Sequence, residues 1–138
     1  MAKAEDFLYR GRVARLATVD SSGRPLVLPI CYAFDGGSLF TPLDEKPKSV
    51  APRQLKRVRN ILSNPHVAVV VDHYSEDWSQ LGYVIVNGEA DVLEAGEEHS
   101  RAVALLREKY PQYRSMNLEQ RPIIRIRVTK IVTWGRLE

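Results

Sequence analysis

The chain is 138 residues long, 44% hydrophobic and 27% charged, with 20 Lys and Arg against 17 Asp and Glu and a formal net charge of +3. That length and balance fit one domain, residues 1–138, with a full hydrophobic core, and exclude a disordered or low-complexity chain. The single cysteine, Cys31, excludes an internal disulfide and points to a reducing, cytoplasmic setting; no apolar run reaches the ~20 residues of a membrane span, and MAKAEDFLYRGR lacks the apolar core of a signal peptide.

Residues 3–10 pattern as a short amphipathic helix closed by Gly11. From 13 to 43 the chain reads strand, turn, strand, turn, strand, punctuated by Ser22-Gly23 and by Asp35-Gly36-Gly37. Pro29 within the second strand predicts an edge position or a bulge, because proline cannot donate to the ladder.

Between 46 and 59 stand six basic residues and no acidic one: Lys46, Lys48, Arg53, Lys56, Arg57 and Arg59. The segment predicts a loop and a short helix. At about 100° per residue, Arg53, Lys56, Arg57 and Asn60 cluster on one side and Leu55, Val58 and Leu62 on the other. One face then suits a core and the other an anion such as phosphate. The competing reading is a solvated basic surface.

HVAVVVD (66–72) is continuously apolar and predicts a strand buried on both faces. YSEDWSQL (74–81) reads as a turn-rich excursion with Ser75 as a cap. Residues 82–94 predict a long strand with Gly88 as a bulge or bend. Residues 97–110 predict a helix with Ala102, Leu105 and Leu106 on one stripe, stopped by Pro111. In 123–134, Ile124, Ile126, Val128, Val132 and Trp134 fall on one face, and Arg125, Arg127 and Thr129 on the other. Lys130 has the apolar parity, which calls for a strand end, a bulge or a site. Six strands and three or four short helices, with no βαβ alternation, predict a mainly β protein: a closed or nearly closed antiparallel barrel with helices at its ends.

The chemistry-bearing residues are sparse. His66, His73 and His99 are scattered, no Cys/His set has metal spacing, and no Walker loop, GxGxxG or GxSxG is present. Cys31 reads as a small buried hydrophobe. An enzyme with so few reactive side chains would borrow a cofactor and supply binding and orientation. Thr41, just before the basic loop, and Tyr83, Trp78 and Trp134 are uncharged groups able to frame a ring; for each aromatic the alternative is core packing.

ARLATVDSSGRPLVLPICYAFDGGSLFTPLDEKPK, LKRVRNILSNPHVAVVVD, YVIVNGEADVL and IVTWG stand in this order over nearly the whole chain. In these pieces the chain resembles the split β-barrel flavin and deazaflavin oxidoreductases, the pyridoxamine 5′-phosphate oxidase-like superfamily. Its DEKPK and YSEDWSQL segments look most like the subgroup presumed to use coenzyme F-420, a deazaflavin. The resemblance implies an FMN-binding-like, six-stranded antiparallel split β-barrel of Greek-key topology. It implies a homodimer with its cofactor sites at the subunit interface, and a hydride transfer to a small-molecule substrate. It also implies roles for residues. Thr41 and Lys56-Arg57 match the threonine and Arg/Lys pair that hold phosphate; Val27, Leu28 and Pro29 match the stretch lining the ring. Tyr83 falls where flavin-binding relatives often carry glutamine, and Trp134 near a C-terminal tryptophan. Leu26-Val27-Leu28 replaces an arginine of the true oxidases, so vitamin B6 oxidation is not implied. Lys46 and Lys48 suit the acidic tail of F-420, with Arg53, Asn60 and Trp78 completing the expected cofactor site and Tyr83 the candidate proton donor. FMN in place of F-420, a non-catalytic flavin or heme binder with His73 as ligand, and nucleic-acid binding are the alternatives; the low net charge and absence of a stacking platform place nucleic acid last, and neither nucleic acid nor membrane is expected as a partner.

Overall fold

The structure, a computed structural model, describes residues 2–43, 51 and 54–138. Lys46, Lys48 and Arg53 lie outside the described residues. In chain order come α1 (Ala2–Arg10), β1 (Ala14–Val19), β2 (Pro25–Ile30), β3 (Ala33–Phe34), β4 (Ser38–Pro42), α2 (Lys56–Ser63), β5 (His66–His73), β6 (Gly82–Leu93), α3 (Glu97–Lys109) and β7 (Ile123–Gly135). All pairings are antiparallel, in the order β2-β1-β5-β6-β7-β4-β3, and the curled sheet is a split β-barrel.

There are seven strands where six are expected, because the second predicted strand breaks at Cys31 and Tyr32. There the backbone leaves the ladder for a side chain 78 residues away. The Tyr32 N–H donates to the Tyr110 hydroxyl at 3.2 Å, which itself donates to the Tyr32 carbonyl at 3.0 Å. The chain on either side therefore pairs separately, β2 with β1 and β3 with β4. Pro29 lies in β2 at the sheet edge, where its missing N–H costs no ladder bond.

The inner face of the sheet buries Leu16, Val69, Val71, Val84, Val86, Ile124 and Ile126 against α1 and α2; a second core beneath α3 holds Phe40, Ala102, Leu106, Tyr113 and Ile123. β5 is not buried on both faces as its composition implies. Val67, Val69 and Val71 are buried while Ala68 and Val70 are only half-buried, since no described residue covers the outer face.

α2 packs Val58 and, in part, Leu55 inward as its pattern predicts, but it is rotated so that Asn60 replaces Leu62 on the buried side. Val58, Asn60 and Ile61 are buried, and Leu62 is 55% exposed. Asn60 is held by Thr18 of β1: its Nδ2 donates to the Thr18 Oγ1 at 2.9 Å, and both side chains are buried. Asn60→Ala is expected to cost about 1–3 kcal/mol, because the Thr18 hydroxyl loses its partner in a dry site. Urea unfolding of Asn60→Ala, Thr18→Val and the pair checks this: the double variant should cost less than the sum of the singles, and additive losses would contradict the coupling.

The bulge expected at Gly88 is present, with its extra residue on the facing strand. Asn87 pairs with Lys130 and Gly88 with Val128, leaving Thr129 unpaired. This reverses the side-chain parity of β7 beyond Thr129. Ile124, Ile126 and Val128 face inward as predicted, while Val132 and Trp134 turn to the outer face and are exposed. Lys130, the misfit of the alternating pattern, comes to the outer face with them.

Candidate functional site

That parity change builds the outer face. Along β6 the outward residues are Tyr83, Ile85 and Asn87, opposite Trp134, Val132 and Lys130 of β7. On the other side β5 places Asp72, Val70 and Ala68 opposite them, β1 adds Arg15 and Ala17, and β2 adds Pro29 and Val27. The strip is mostly apolar and open: Val27 is 60% and Trp134 51% exposed. One ion pair crosses it, Arg15 Nη1 to Asp72 Oδ1 at 3.4 Å.

Tyr83 and Trp134 stack at one end of the strip, with ring centroids 5.6 Å apart and planes 23° from parallel. Their position follows from the bulge; without it Trp134 would point into the core. Trp78, 71% exposed, rises from the 3-10 turn Trp78–Gln80 just before β6. Asp77 caps that turn, its Oδ1 accepting from the Ser79 N–H at 3.1 Å and from the Ser79 hydroxyl at 2.7 Å. These bonds hold the Asp77 carboxyl below its ordinary pKa.

The predicted phosphate residues are distributed differently. Lys56 lies beside the β1–β2 turn, its Nζ 3.3 Å from Asp20 Oδ2. The Arg24 N–H, then the Ser22 N–H and the Lys56 ammonium, hold Asp20 below the usual carboxylate range. Arg57 is half-buried and engaged within the chain, and the Arg59 Nε donates to the Gln54 carbonyl at 3.2 Å. Thr41 of β4 is 3% exposed, paired in register with Ile124. Leu28 packs partly against the inner core, so of its stretch only Val27 and Pro29 look outward.

The structure therefore joins Tyr83 with Trp134, and places Val27 and Pro29 on the strand beside the turn that Lys56 contacts. It does not join the two groups: β2 and β7 are four strand spacings apart, roughly 19 Å along the sheet at about 4.8 Å per strand. Among the described residues, clefts of about 250, 440 and 340 Å³ open beside the ends of α1 and β5 and around α3; the first is lined by Asp72 of the strip and by His73, the heme-ligand candidate. Among the described residues no group of three or more His, Cys, Asp and Glu could hold a metal ion. His99 is buried with its Nε2 2.7 Å from the Arg121 carbonyl, so that nitrogen donates, while His66 and His73 stand exposed at the two ends of β5. Ile85, Asn87, Lys130 and Val132 are outer-face residues that the sequence pattern missed. The one signal available for them was the off-parity lysine.

The model of the pyridoxamine 5′-phosphate oxidase family matches residues 1–135. Among curated proteins none matches the chain. Solved structures are similar over nearly its whole length. A conserved hypothetical protein from Mycobacterium tuberculosis superposes with a TM-score of 0.79 at 21% identity, covering 97% of this chain and 83% of that one. The heme storage protein HutZ from Vibrio cholerae gives 0.72 at 16%, covering 97% and 92%. An FAD-binding protein from Mesorhizobium loti gives 0.71 at 23%, covering 96% and 91%. No helix among the described residues is long and apolar enough to cross a membrane.

Proposed function

The chain belongs to the pyridoxamine 5′-phosphate oxidase family, and from that premise we propose that it is a homodimeric oxidoreductase. It binds coenzyme F-420 between its subunits and passes hydride to a small-molecule substrate. The observation that carries this reading is the outer face: an open apolar strip ending in the stacked Tyr83–Trp134 pair. Such a strip suits both a flat ring and a second copy of the sheet. Pairing two copies also answers the separation of the site residues. Val27 and Pro29 of one subunit and Trp134 of the other can then flank one ligand, which a single chain's four-strand gap prevents.

The residues present fit a deazaflavin in part. Tyr83 offers a phenol and no amide, so it cannot copy the hydrogen bonds of a glutamine to a flavin ring. Lys56, with Lys46 and Lys48 nearby in sequence, suits a long acidic tail better than a compact FMN phosphate requires. The bound deazaflavin would supply the hydride. The protein's own part is to hold the tail through Lys56 and Arg57, to press the ring between apolar side chains and exclude water, and to offer the Tyr83 hydroxyl as a proton donor. A second reading, a non-catalytic heme or flavin binder, draws on the likeness to HutZ and to the FAD-binding protein, with His73 as the exposed nitrogen ligand.

Titration of the purified protein with F-420, FMN and heme, followed by tryptophan fluorescence and sedimentation, separates these. F-420 should bind tightest, to a dimer. Lys56→Ala with Arg57→Ala should weaken it about tenfold or more, the loss of one charge-assisted hydrogen bond. Unchanged affinity would remove the anchoring role. Preference for FMN or heme would move the protein to the corresponding alternative.

A further inference from the structure

The cleft of about 250 Å³ opens at the rim where the end of α1, the end of β5 and the residues after β7 meet, and it carries more positive charge than its lining alone suggests. Its charged lining residues are Arg10, His73, Arg136, Asp72 and Glu138. Among the described residues Arg10 has neutral partners only: its Nη2 donates to the Leu137 carbonyl at 2.6 Å, and its guanidinium lies 5.6 Å from the centre of the Phe7 ring. Among the described residues no carboxylate stands within ion-pair reach of Arg10 or His73. Both carboxylates of the lining, by contrast, are engaged by cations from outside it. Asp72 pairs with Arg15 across the outer face, and Glu138 with Lys3. Arg136 has a loose contact to Glu138, Nε to Oε1 at 3.8 Å, and stands close enough to the Asp77 carboxyl to help lower its pKa. Lys3 and Arg15 thus offset the acidic members of the lining; Asp77 offsets part of Arg136, and the balance around Arg10 and Arg136 stays positive.

We propose that this cleft binds a small anion, the carboxylate or phosphate group of a small molecule, gripped by Arg10 and Arg136 with the His73 imidazole as a further donor. Two guanidinium forks present planar N–H pairs to such oxygens, and each still has N–H groups uncommitted to a carboxylate. The cleft adjoins the candidate site: Asp72 pairs in register with Tyr83, and Arg136 follows Trp134 by two residues. Resting on the reading above for its role, the anion is the charged end of the substrate, whose reducible part reaches toward the Tyr83–Trp134 stack. The binding itself needs no cofactor.

NMR titration of the cofactor-free protein with inorganic phosphate, and separately with succinate, tests this. The Arg10 and Arg136 Nε–H signals and the His73 ring signals should move saturably with at least one of the two probes, and the better probe assigns phosphate or carboxylate. Arg10→Gln and Arg136→Gln should each weaken that probe about tenfold, while Arg127→Gln, on the far side of the bulge, should leave it within twofold. Small non-saturating shifts spread over all surface arginines would overturn the site, as would full affinity in both cleft variants. Because no deazaflavin is present, anion binding without F-420 binding would uphold this site and remove the cofactor reading. F-420 binding without anion binding would do the reverse.

Discussion

Gly82→Ala and Gly135→Ala are each expected to lower stability by about 2–4 kcal/mol, or roughly 10 °C in the unfolding midpoint for a domain of this size. Gly82 and Gly135 pair across β6 and β7. A Cβ on Gly82 would run into the Arg136 carbonyl oxygen, and one on Gly135 into that of Leu81. Neither obstacle is a flexible side-chain end. The two strands are fastened there by the Arg136 N–H donating to the Leu81 carbonyl at 2.8 Å. Gly135 also has φ +82°, which an alanine adopts only at a cost. The adjacent residues are Tyr83 and Trp134, so the same change should part their stack and alter the near-ultraviolet circular dichroism. Gly23 separates the two causes: its φ is +84° but nothing lies within 4 Å of its Cβ position. Gly23→Ala should therefore cost only the conformational part, about 1 kcal/mol. If Gly82→Ala melted within ~2 °C of the parent, the close approach of the strands would be wrong.

Stability should rise between pH 8 and pH 10, and Lys109→Met should abolish that rise. The Lys109 Nζ is buried without a hydrogen-bond partner, 3.9 Å from the centre of the Tyr32 ring and 5.5 Å from that of Tyr110. Burial first, and then the Arg12 charge, push its pKa down to about 8. The unfolded chain holds this proton up to about pH 10.4. Between the two values the unfolded state binds more protons, so raising the pH favours the folded state. With solvent still reaching part of the side chain, the gain is about 1–2 kcal/mol. Above pH 10 the sign reverses. Burial raises the pKa of Tyr32 and of Tyr110, so the unfolded chain loses those phenol protons first. Methionine keeps the length and the ring contacts without the charge. It should be more stable than lysine at pH 7 by about 1 kcal/mol, the cost of holding an unpaired ammonium in this site. Urea unfolding from pH 7 to pH 10 reads both effects. A flat profile for the parent chain would show that the amine is solvated.

Much of the local structure was legible because its causes are local. Gly23 and Gly36 occupy positive φ in the predicted hairpin turns, where Asp20 and Asp35 accept backbone N–H bonds from residues two to four ahead. α3 lies where the apolar stripe and Pro111 set it, with Ala102 and Leu106 buried. Tyr83 and Trp134 were both picked out from sequence, but their meeting was not. They are 51 positions apart, and unbroken alternation puts Trp134 on the face opposite to the one it occupies. The break at Tyr32 was equally hidden, since it depends on Tyr110. The helical period groups Asn60 with the cations, whereas the Thr18 hydroxyl, 42 positions earlier, draws it in.

By itself, the sequence determined where most strands, turns and helices form, which side of β7 is apolar as far as Val128, and to which family the chain belongs. Those properties reside in residue types a few positions apart, and in motifs whose order survives folding. Only the tertiary structure decided which face the last strand shows to solvent, which side of α2 is buried, and that Arg10, Arg136 and His73 share a cleft. Side-chain parity is counted from a register, and the register of β7 is set by its hydrogen bonds to β6. One unpaired residue, Thr129, reverses everything after it, and no period within β7 records that choice.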